Sequence, residues 1–381
     1  MRIAIVKESS DLEPRVAASA DTVKRYIALG AEVVVASGAG LASGIGDSDY
    51  EGAGAKVAAD NAAAVAGADV VLCVRRPAAS SLGGVNRGAL VIAIMDPHGH
   101  EPALEELARA GVSCFAMELM PRITRAQVMD VLSSQANLAG YRAVVDAAGV
   151  FGRAFPMMMT AAGTVPAARV FVMGAGVAGL QAIATARRLG AVVSATDVRP
   201  AAKEQVESLG GKFIAVEDEE FRQAETGGGY AKPMSAEYQA KQAALVASHI
   251  AKQDIVITTA LIPGRPAPKL VSGEMVASMK PGSVIVDLAV ERGGNVAGAE
   301  PGEVVTTANG VTIVGHLNVP GRLAATASLL YAKNLYAFVE TLVDKTTKSL
   351  GVKWDDELVK ATLLTRDGAV VHPSFAPRPA A

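Results

Sequence analysis

Cysteine is nearly absent from this sequence, which contains only Cys73 and Cys114 among its 381 residues. Two cysteines cannot form a disulfide framework, and these two do not have the spacing of metal ligands. Each lies in a short apolar run of strand type, so we expect buried, unreactive thiols in a protein of a reducing compartment. The pair His98 and His100 has no further Cys or His ligands beside it, and a strand-end loop explains it better than a metal site. The sequence therefore predicts no bound metal.

The sequence also lacks an excess of charge of either sign and a long hydrophobic run. Its 36 Lys and Arg residues against 38 Asp and Glu leave a formal net charge of −2, which gives no electrostatic reason to expect nucleic acid or an anionic membrane surface as a partner. No apolar run reaches the roughly 20 residues that span a bilayer, and no secretory signal opens the chain. These features predict a cytoplasmic protein without direct membrane insertion.

Aromatic residues are scarce at 4% of the sequence, although hydrophobic residues make up 50% and there are 38 glycines. Small apolar side chains, mainly Ala and Val, must therefore supply most of the core. This composition is typical of helices packed closely on a parallel sheet, and it excludes disorder. The chain is longer than the roughly 250–300 residues that one core supports, which predicts two domains.

Short strand-type runs alternate with helix-length segments, which predicts right-handed parallel α/β units. The first series of strands is expected at residues 2–6, 32–36, 69–74, 89–95 and 112–117. The second series is expected at residues 169–173, 192–196, 213–216, 255–259, 283–288 and 311–314. A long helical stretch over residues 122–148 lies between them. The predicted fold class is α/β, with two Rossmann-like parallel-sheet domains joined by long helices: one over residues 1–130, completed by C-terminal helices over 322–381, and one over 131–321.

The sharpest motif is Gly174-Ala175-Gly176-Val177-Ala178-Gly179, which follows a predicted strand directly and opens an Ala-rich helix. In a dinucleotide-binding turn, the first glycine permits the tight turn, the second lets the backbone approach the pyrophosphate, and the third lets helix and strand pack closely. The free N–H groups of the helix then face the pyrophosphate charge. We therefore predict that Gly174, Gly176 and Gly179 bind a dinucleotide.

The choice between NAD and NADP is expected to depend on Asp197, which ends the next strand about 20 residues further on. A carboxylate there can accept hydrogen bonds from the adenosine ribose and repels a 2′-phosphate. Arg199 is two residues away and in principle pairs with such a phosphate, but it would act beside the charge of Asp197. The sequence therefore predicts NAD as the cofactor.

A group of polar residues lies at the start of the predicted long helix. At helical spacing, Gln127, Asp130 and Ser134 would share one face. One interpretation is structural, because Thr124-x-x-Gln127 matches a capping box and Asp130 suits a first turn. The other is that a guanidinium, an amide and a carboxylate cluster at the reactive end of the cofactor. The residues alone favour the structural interpretation.

The segment over residues 217–234 shows neither a strand nor a helix period. It contains three consecutive glycines followed by Tyr230. Irregular segments of this length are usually lids or solvated insertions, and the sequence leaves both open.

Long runs of the chain resemble the NAD(H)-binding α subunit of the proton-translocating NAD(P) transhydrogenases, over nearly the whole length. The matching runs, all as they stand in this sequence, are Lys7-Glu8, Arg15-Val16-Ala17, Met117-Glu118-Leu119-Met120-Pro121-Arg122-Ile123, Ser133-Ser134-Gln135-Ala136-Asn137-Leu138-Ala139-Gly140-Tyr141-Arg142, Arg153-Ala154-Phe155-Pro156-Met157-Met158-Met159-Thr160, the glycine motif, Ala195-Thr196-Asp197-Val198-Arg199, Gly228-Gly229-Tyr230-Ala231-Lys232 and Thr258-Thr259-Ala260-Leu261-Ile262-Pro263-Gly264.

The resemblance implies hydride transfer from NADH, bound on this chain, to NADP⁺ bound on a separate partner domain, with proton translocation in a membrane-spanning subunit. It also implies a homodimer that is held at the inner membrane by its partner subunits. By residue match, the implied catalytic residues are Arg122, Gln127, Asp130, Ser133 and Tyr230, the last on a loop that closes over the nucleotide. The implied NAD contacts are Val177, Asp197, Val198, Gly229, Gln242 and Leu261.

Two other functions remain as alternatives. A self-contained oxidoreductase similar to alanine dehydrogenase has a related architecture, but that family uses a lysine in a Lys-x-Lys-Glu-Pro-type strand end. Here the stretch is Val74-Arg75-Arg76-Pro77, without lysine, although His98 or His100 is available for the histidine of that family. A non-catalytic NAD sensor would bind NADH tightly and turn over no acceptor.

Overall fold

The computed structural model of the chain describes residues 1–223, 234–262 and 264–376. These residues form two compact units, the first from residues 1–135 with the described chain from 320 onward, the second from residues 136–319. Each unit contains a large sheet whose strands are parallel or mostly parallel. The predicted α/β class with two parallel sheets is confirmed.

Within the described residues, the sheet of the first unit consists of β1 (Arg2–Ile5), β2 (Glu32–Ala36), β3 (Lys56–Ala58), β4 (Val70–Arg75), β5 (Leu90–Ile94) and β6 (Ser113–Ala116). The strands run parallel in the order β3-β2-β1-β4-β5-β6. Ile3, Ala4 and Ile5 expose no surface, because a central parallel strand is covered on both faces. The edge strand β3 was not expected, since its three residues begin with an exposed lysine and form no apolar run.

Four α-helices accompany these strands among the described residues: α1 (Ala20–Ala28), α2 (Asp47–Gly52), α3 (Asn61–Val65) and α4 (Glu101–Arg109). The start of α1 shows how local chemistry sets a boundary. The Ser19 hydroxyl accepts the Thr22 N–H at 3.3 Å, and the Thr22 hydroxyl accepts the Ser19 N–H at 2.9 Å. Two N–H groups without helical partners are thereby satisfied, and α1 then buries Val23 and Tyr26 against the sheet.

The prediction of one long helix over residues 122–148 is wrong at its beginning. Thr124–Met129 forms a 3₁₀ helix, and the α-helix α5 spans Val131–Val150. The break lies at Asp130, whose ψ of 92° is extended. Its carboxylate accepts the N–H of Ser133 at 2.9 Å, as the side chain of an N-terminal cap does. Asp130 therefore starts α5 rather than continuing a helix from residue 122.

Two buried side chains anchor the short segment before α5. Ala126 and Met129 are both buried, and their spacing of three residues is the repeat of a 3₁₀ helix. The capping box expected at the start of the segment is absent, since no side chain caps its first turn. The expectation that Gln127 and Asp130 share one α-helical face with Ser134 is therefore wrong.

The second unit begins with residues 136–150 of α5, which an antiparallel hairpin of β7 (Met158–Thr160) and β8 (Gly163–Val165) follows. Its large sheet contains, within the described residues, β9 (Arg169–Met173), β10 (Val192–Thr196), β11 (Lys212–Phe213), β12 (Ile255–Thr258), β13 (Val284–Asp287), β14 (Val304–Thr306) and β15 (Thr312–Val314). The order is β11-β10-β9-β12-β13-β15-β14, parallel except for β14 against β15. Chain progression reverses between β9 and β12, and ligands of such sheets bind at the carboxyl ends of the strands there.

After α5, the α-helices described in this unit are α6 (Val177–Arg188), α7 (Ala202–Ser208), α8 (Glu219–Arg222), α9 (Ala236–Ile250) and α10 (Gly273–Ser278). Ala182 and Ala186 of α6 expose no surface and pack in one cluster with Val170 and Val172 of β9. Small side chains thus bring the helix close to the sheet, as the composition indicates. α8 lies in the segment for which no regular structure was expected.

The C-terminal chain belongs to the first unit. Its elements are α11 (Ala324–Thr341), β16 (Val343–Asp344), β17 (Ser349–Leu350), α12 (Glu357–Thr362), β18 (Thr365–Arg366) and β19 (Ala369–Val370). Tyr331, Leu335 and Phe338 of α11 are buried in the same core as Ile3 and Leu72, so the first sheet is covered by a helix distant in sequence. Among the helices that the structure describes, every one is too short or too polar to cross a bilayer.

Candidate functional site

The glycine motif forms a tight turn between β9 and α6. Gly174 has a φ of +104°, in the left-handed region that favours glycine. A Cβ added at Gly179 would overlap the carbonyl oxygen of Gly174, whereas one at Gly176 would meet no atom within 4 Å. The turn therefore leaves open space in front of its second glycine, at the start of α6, and no space behind its third. This is the geometry with which a helix N-terminus receives a pyrophosphate.

The loop after β12 packs against this turn. The Thr259 hydroxyl donates to the Gly174 carbonyl at 3.1 Å, and a Cβ at Gly174 would come within 2.5 Å of that hydroxyl oxygen. The loop itself is held by Asn295, which exposes no surface. The Asn295 side chain accepts the N–H of Ala260 at 3.0 Å and donates to the Ala260 carbonyl at 2.9 Å. The two loops at the carboxyl ends of β9 and β12 are thus fixed together.

Neither Asn295 nor Asp287, the two buried residues that hold these loops, was predicted from the sequence. Asp287, at the end of β13, accepts the backbone N–H groups of Ala289, Asn295 and Val296 at 2.8–3.0 Å. It is completely buried. Its place at the end of an apolar strand was a usable signal, whereas Asn295 lies in no recognisable pattern.

Asp197 follows β10 directly and binds the glycine turn. Its carboxylate accepts the N–H of Ala175 at 2.7 Å and the N–H of Arg199 at 2.9 Å. The Arg199 guanidinium forms two further hydrogen bonds to it at 2.9 and 3.0 Å. The positive charge of Arg199 is therefore engaged by a carboxylate, which opposes its use for a 2′-phosphate.

Three of the predicted NAD contacts are exposed apolar side chains. Val177, Val198 and Leu261 are 40%, 62% and 53% exposed. They follow the glycine turn, β10 and β12, respectively, so all three lie beyond the carboxyl ends of strands in one sheet. Apolar surface combined with a few fixed polar groups is typical of a nucleotide site.

Gln242, Gly229 and Tyr230 complete the predicted residues of the nucleotide site. Gln242 of α9 accepts the N–H of Val216 at 2.9 Å and donates to the Thr196 hydroxyl at 3.1 Å, so its amide joins the end of β10 to the chain that follows β11. Gly229 and Tyr230 lie outside the residues that the structure describes, and their roles stay predictions.

The predicted catalytic segment lies in the first unit. Arg122 and Gln127 are exposed, and Asp130 and Ser133 are half-buried. Asp130 and Ser133 are brought together, because the Asp130 carboxylate accepts both the backbone N–H of Ser133 at 2.9 Å and its hydroxyl at 2.5 Å. Arg122 precedes the 3₁₀ helix and Gln127 lies within it. The segment thus exposes Gln127 and Arg122 to solvent and fixes the carboxylate of Asp130 through Ser133.

A buried polar network supports the end of this segment. Arg15 forms an ion pair with Glu13 at 2.6 Å and donates to Gln135, in the first turns of α5, at 2.8 Å. Arg75 donates to the same Glu13 carboxylate at 2.7 Å. Nearby, Glu8 accepts the N–H groups that end β4, and burial raises its pKa from 4.5 to about 7. The charge of Glu13 is thus matched by two arginines, whereas burial disfavours the charged form of Glu8.

The two cysteines are buried, and His98 and His372 both pack against the ring of Phe375. Burial raises the pKa of Cys114 to about 12 and that of Cys73 well above its usual value, so neither thiol is reactive at neutral pH. Over the ranges 1–223, 234–262 and 264–376, no group of three or more His, Cys, Asp or Glu side chains is arranged to hold a metal ion.

Comparison with known proteins identifies the family. The family models "Alanine dehydrogenase/PNT, N-terminal domain" and "Alanine dehydrogenase/PNT, C-terminal domain" match residues 4–139 and 143–373. An NAD(P) transhydrogenase alpha-subunit chain of Rhodospirillum rubrum is 57% identical over 380 residues, which cover 98% of this chain and 99% of that protein. The chain belongs to the NAD(P) transhydrogenase alpha-subunit family. The crystal structure of transhydrogenase from Sinorhizobium meliloti matches it with a TM-score of 0.89 and 66% identity, over 97% of this chain and 100% of that one.

The transhydrogenase alpha subunits are far more similar to this chain than the alanine dehydrogenases are. The alanine dehydrogenase of Halomonas elongata is 29% identical over 99% of this chain and 96% of that protein. At the strand end where a lysine was sought, this chain has two arginines: Arg75 binds Glu13, and Arg76 donates to the Asp96 carbonyl at 2.8 Å. The resemblance to the transhydrogenases is thus confirmed, and alanine dehydrogenase is a distant relative.

Proposed function

We propose that this chain binds NADH in its second unit and passes a hydride directly to NADP⁺ held on a partner domain, coupled to proton movement in a separate membrane subunit. The main observation in support of the nucleotide site is the glycine turn at the start of α6. The space in front of Gly176 is open, and Asp197 binds the N–H of Ala175 in the turn. Membership of the transhydrogenase alpha-subunit family supports NADP⁺ as the hydride acceptor. The chain would then lie at the inner membrane through its partner subunits.

Selection of NADH follows from Asp197. Its carboxylate is held at the end of β10 by two backbone N–H groups and by Arg199. A ribose with two free hydroxyls can donate to such a carboxylate, whereas a 2′-phosphate would be repelled by it. Exposed Val177, Val198 and Leu261 supply apolar surface for the adenosine half.

Hydride transfer between two nicotinamides needs no general acid or base. When bound, the dihydronicotinamide supplies the hydride, and the protein must provide orientation and exclusion of water. We assign orientation to Gln127, whose amide is exposed on its segment. Arg122, Asp130 and Ser133 would hold the carboxamide and ribose, and the hydrogen bonds between Asp130 and Ser133 fix these groups in advance.

A homodimer is included in the proposal. Met157, Met158 and Met159, at the β7–β8 hairpin, are 56%, 43% and 78% exposed, an apolar surface that a monomer would leave in water. In the same unit, a cleft of about 550 Å³ is lined mainly by apolar residues, including Phe155, Pro156 and Leu189. A second copy of this chain is the occupant that we infer for both surfaces.

The proposal is tested with membranes that carry the partner subunits and have been stripped of this chain. Purified chain is expected to restore NADH-dependent reduction of an NADP analogue, and to remain inactive by itself with pyruvate and ammonium. NADH oxidation by the chain alone with pyruvate and ammonium would instead identify an enzyme of the alanine dehydrogenase type. Tight NADH binding with no turnover in either assay would identify an NAD sensor.

A further inference from the structure

One side chain of α11 holds the predicted catalytic segment on both sides of Asp130. Asn334 is 8% exposed. Its amide N–H donates to the carbonyl of Val128 at 2.8 Å, and its amide oxygen accepts the hydroxyl of Ser134 at 2.7 Å. Val128 lies two residues before Asp130 and Ser134 lies four residues after it. A single buried amide thus bridges the 3₁₀ helix and the first turn of α5.

The adjacent contacts make this bridge rigid. Gln135 donates to the Ala327 carbonyl of α11 at 3.2 Å, and its amide oxygen accepts from Arg15 at 2.8 Å. Ala126 and Met129 anchor the 3₁₀ helix in the core. The inner side of the segment is therefore bound to α11 and to the core, while Gln127 is exposed.

Asn334 differs from another buried polar group of α11 in what it holds. Ser328, which exposes no surface, accepts the N–H of Val16 at 3.0 Å and shares a hydrogen bond of 2.8 Å with Ser43. Both of these partners of Ser328 lie outside the catalytic segment. Removing the Ser328 hydroxyl would therefore disturb the core but not the path of residues 128–134.

We propose that Asn334 is a positioning residue for hydride transfer: it sets the path of the backbone that carries Gln127 and Asp130. This rests on the function proposed above for that segment. Hydride transfer needs the reacting atoms near contact, and a misplacement of about 1 Å can cost roughly 100-fold in rate. Most of the predicted NADH contacts lie in the second unit, so a displacement of residues 128–134 should weaken NADH binding much less than it slows hydride transfer. Loosening the bridge should therefore lower the rate far more than the affinity for NADH.

The first variant is Asn334→Asp, which keeps the acceptor for Ser134 and replaces the donor to Val128 by a second oxygen. Stripped membranes saturated with this variant are expected to show a kcat for NADP-analogue reduction lowered by about tenfold or more. The dissociation constant for NADH, measured on the purified chain, is expected to stay within about twofold. Ser134→Ala, which removes one partner of the bridge, should give a smaller loss of kcat at unchanged affinity and remains informative if the Asp variant fails to fold.

Two controls separate the possible outcomes. Ser328→Ala is expected to lose about as much thermal stability as the two bridge variants and to leave kcat unchanged. If kcat instead falls in proportion to the loss of stability in all three variants, the inference is overturned. Gln127→Asn reports on the segment itself and is expected to slow hydride transfer far more than it weakens NADH binding. If Gln127→Asn slows transfer and both bridge variants do not, Asn334 is not a positioning residue. If Gln127→Asn has no effect on transfer, the proposed function of the segment fails.

Discussion

The carboxylate of Asp197 offers the sharpest test of the nucleotide site, through the substitution Asp197→Asn. In the structure this carboxylate accepts hydrogen bonds from Ala175 and from both the backbone and the side chain of Arg199. An amide of the same size keeps one acceptor and turns an NH₂ group toward donors. The adenosine ribose would meanwhile lose a charged acceptor.

The expected magnitude follows from these interactions. Loss of one charge-assisted hydrogen bond costs about 1.5–3 kcal/mol, so the Kd for NADH should rise roughly 10- to 100-fold. For NADPH, the same substitution also removes repulsion of the 2′-phosphate, about 3 kcal/mol per unit charge at about 5 Å and an effective dielectric constant of about 20. The preference for NADH over NADPH should therefore shrink by about two orders of magnitude or more.

The assay is calorimetric titration with NADH and NADPH, and the chain offers a matched control in Asp254→Asn. Asp254 is buried, and it accepts the N–H of Arg169 at 2.8 Å and the Arg153 guanidinium at 2.9 Å. It lies at the amino end of β9, opposite the glycine turn. Both variants should lose about 1–3 kcal/mol of unfolding free energy, but only Asp197→Asn should lose nucleotide selectivity. Equal losses for both nucleotides, or an equal NADH loss in Asp254→Asn, would refute the reasoning.

Three other predictions test the turn, the first unit and the dimer. Gly179→Ala should abolish tight NADH binding, because its Cβ would overlap the Gly174 carbonyl oxygen. Gly152→Ala, whose Cβ meets no atom within 4 Å, should bind NADH normally. Fluorescence titration with NADH measures both affinities. Burial raises the pKa of Glu8 from 4.5 to about 7, so its contribution to stability, complete below about pH 4.5, is lost as pH rises through 7. Denaturant unfolding at several pH values should show a weaker decline for Glu8→Gln, and parallel curves would contradict this. Met159→Glu should give monomers in sedimentation with unchanged NADH affinity, and a persisting dimer would exclude the hairpin from the interface.

Much of the second sheet was predictable from the sequence because its strands are continuous apolar runs bounded by polar or glycine residues. The strands at residues 32–36, 169–173 and 192–196, one in the first sheet and two in the second, begin and end where they were predicted. The 3₁₀ helix of Thr124–Met129 was not predictable in the same way. Six residues are too few to distinguish a repeat of 3.0 from one of 3.6, and the extended ψ of Asp130 depends on capping rather than on hydrophobic pattern.

In the candidate site, too, the local features were predictable and the contacts between distant residues were not. The glycine turn and Asp197 are local features, since the strand, the turn and the helix follow one another in the chain, and their spacing has a direct geometric meaning. The supports are not local. Asn295 binds Ala260 across 35 residues, and Asn334 binds Val128 across 206 residues. No repeat or motif in one sequence connects such pairs, because the fold alone brings them together.

These two asparagines show how a buried amide can hold a functional segment in place. Each binds a backbone carbonyl through its N–H and accepts from a second group through its oxygen. One amide thus satisfies a donor and an acceptor together, and it brings no charge into the interior that a partner would have to match. Asp197, by contrast, is held by several donors at the end of a strand, where its charge can serve the nucleotide. The interior supports of the described residues thus include neutral amides, which need no matching charge, as well as the buried carboxylate of Asp287, which three backbone N–H groups satisfy.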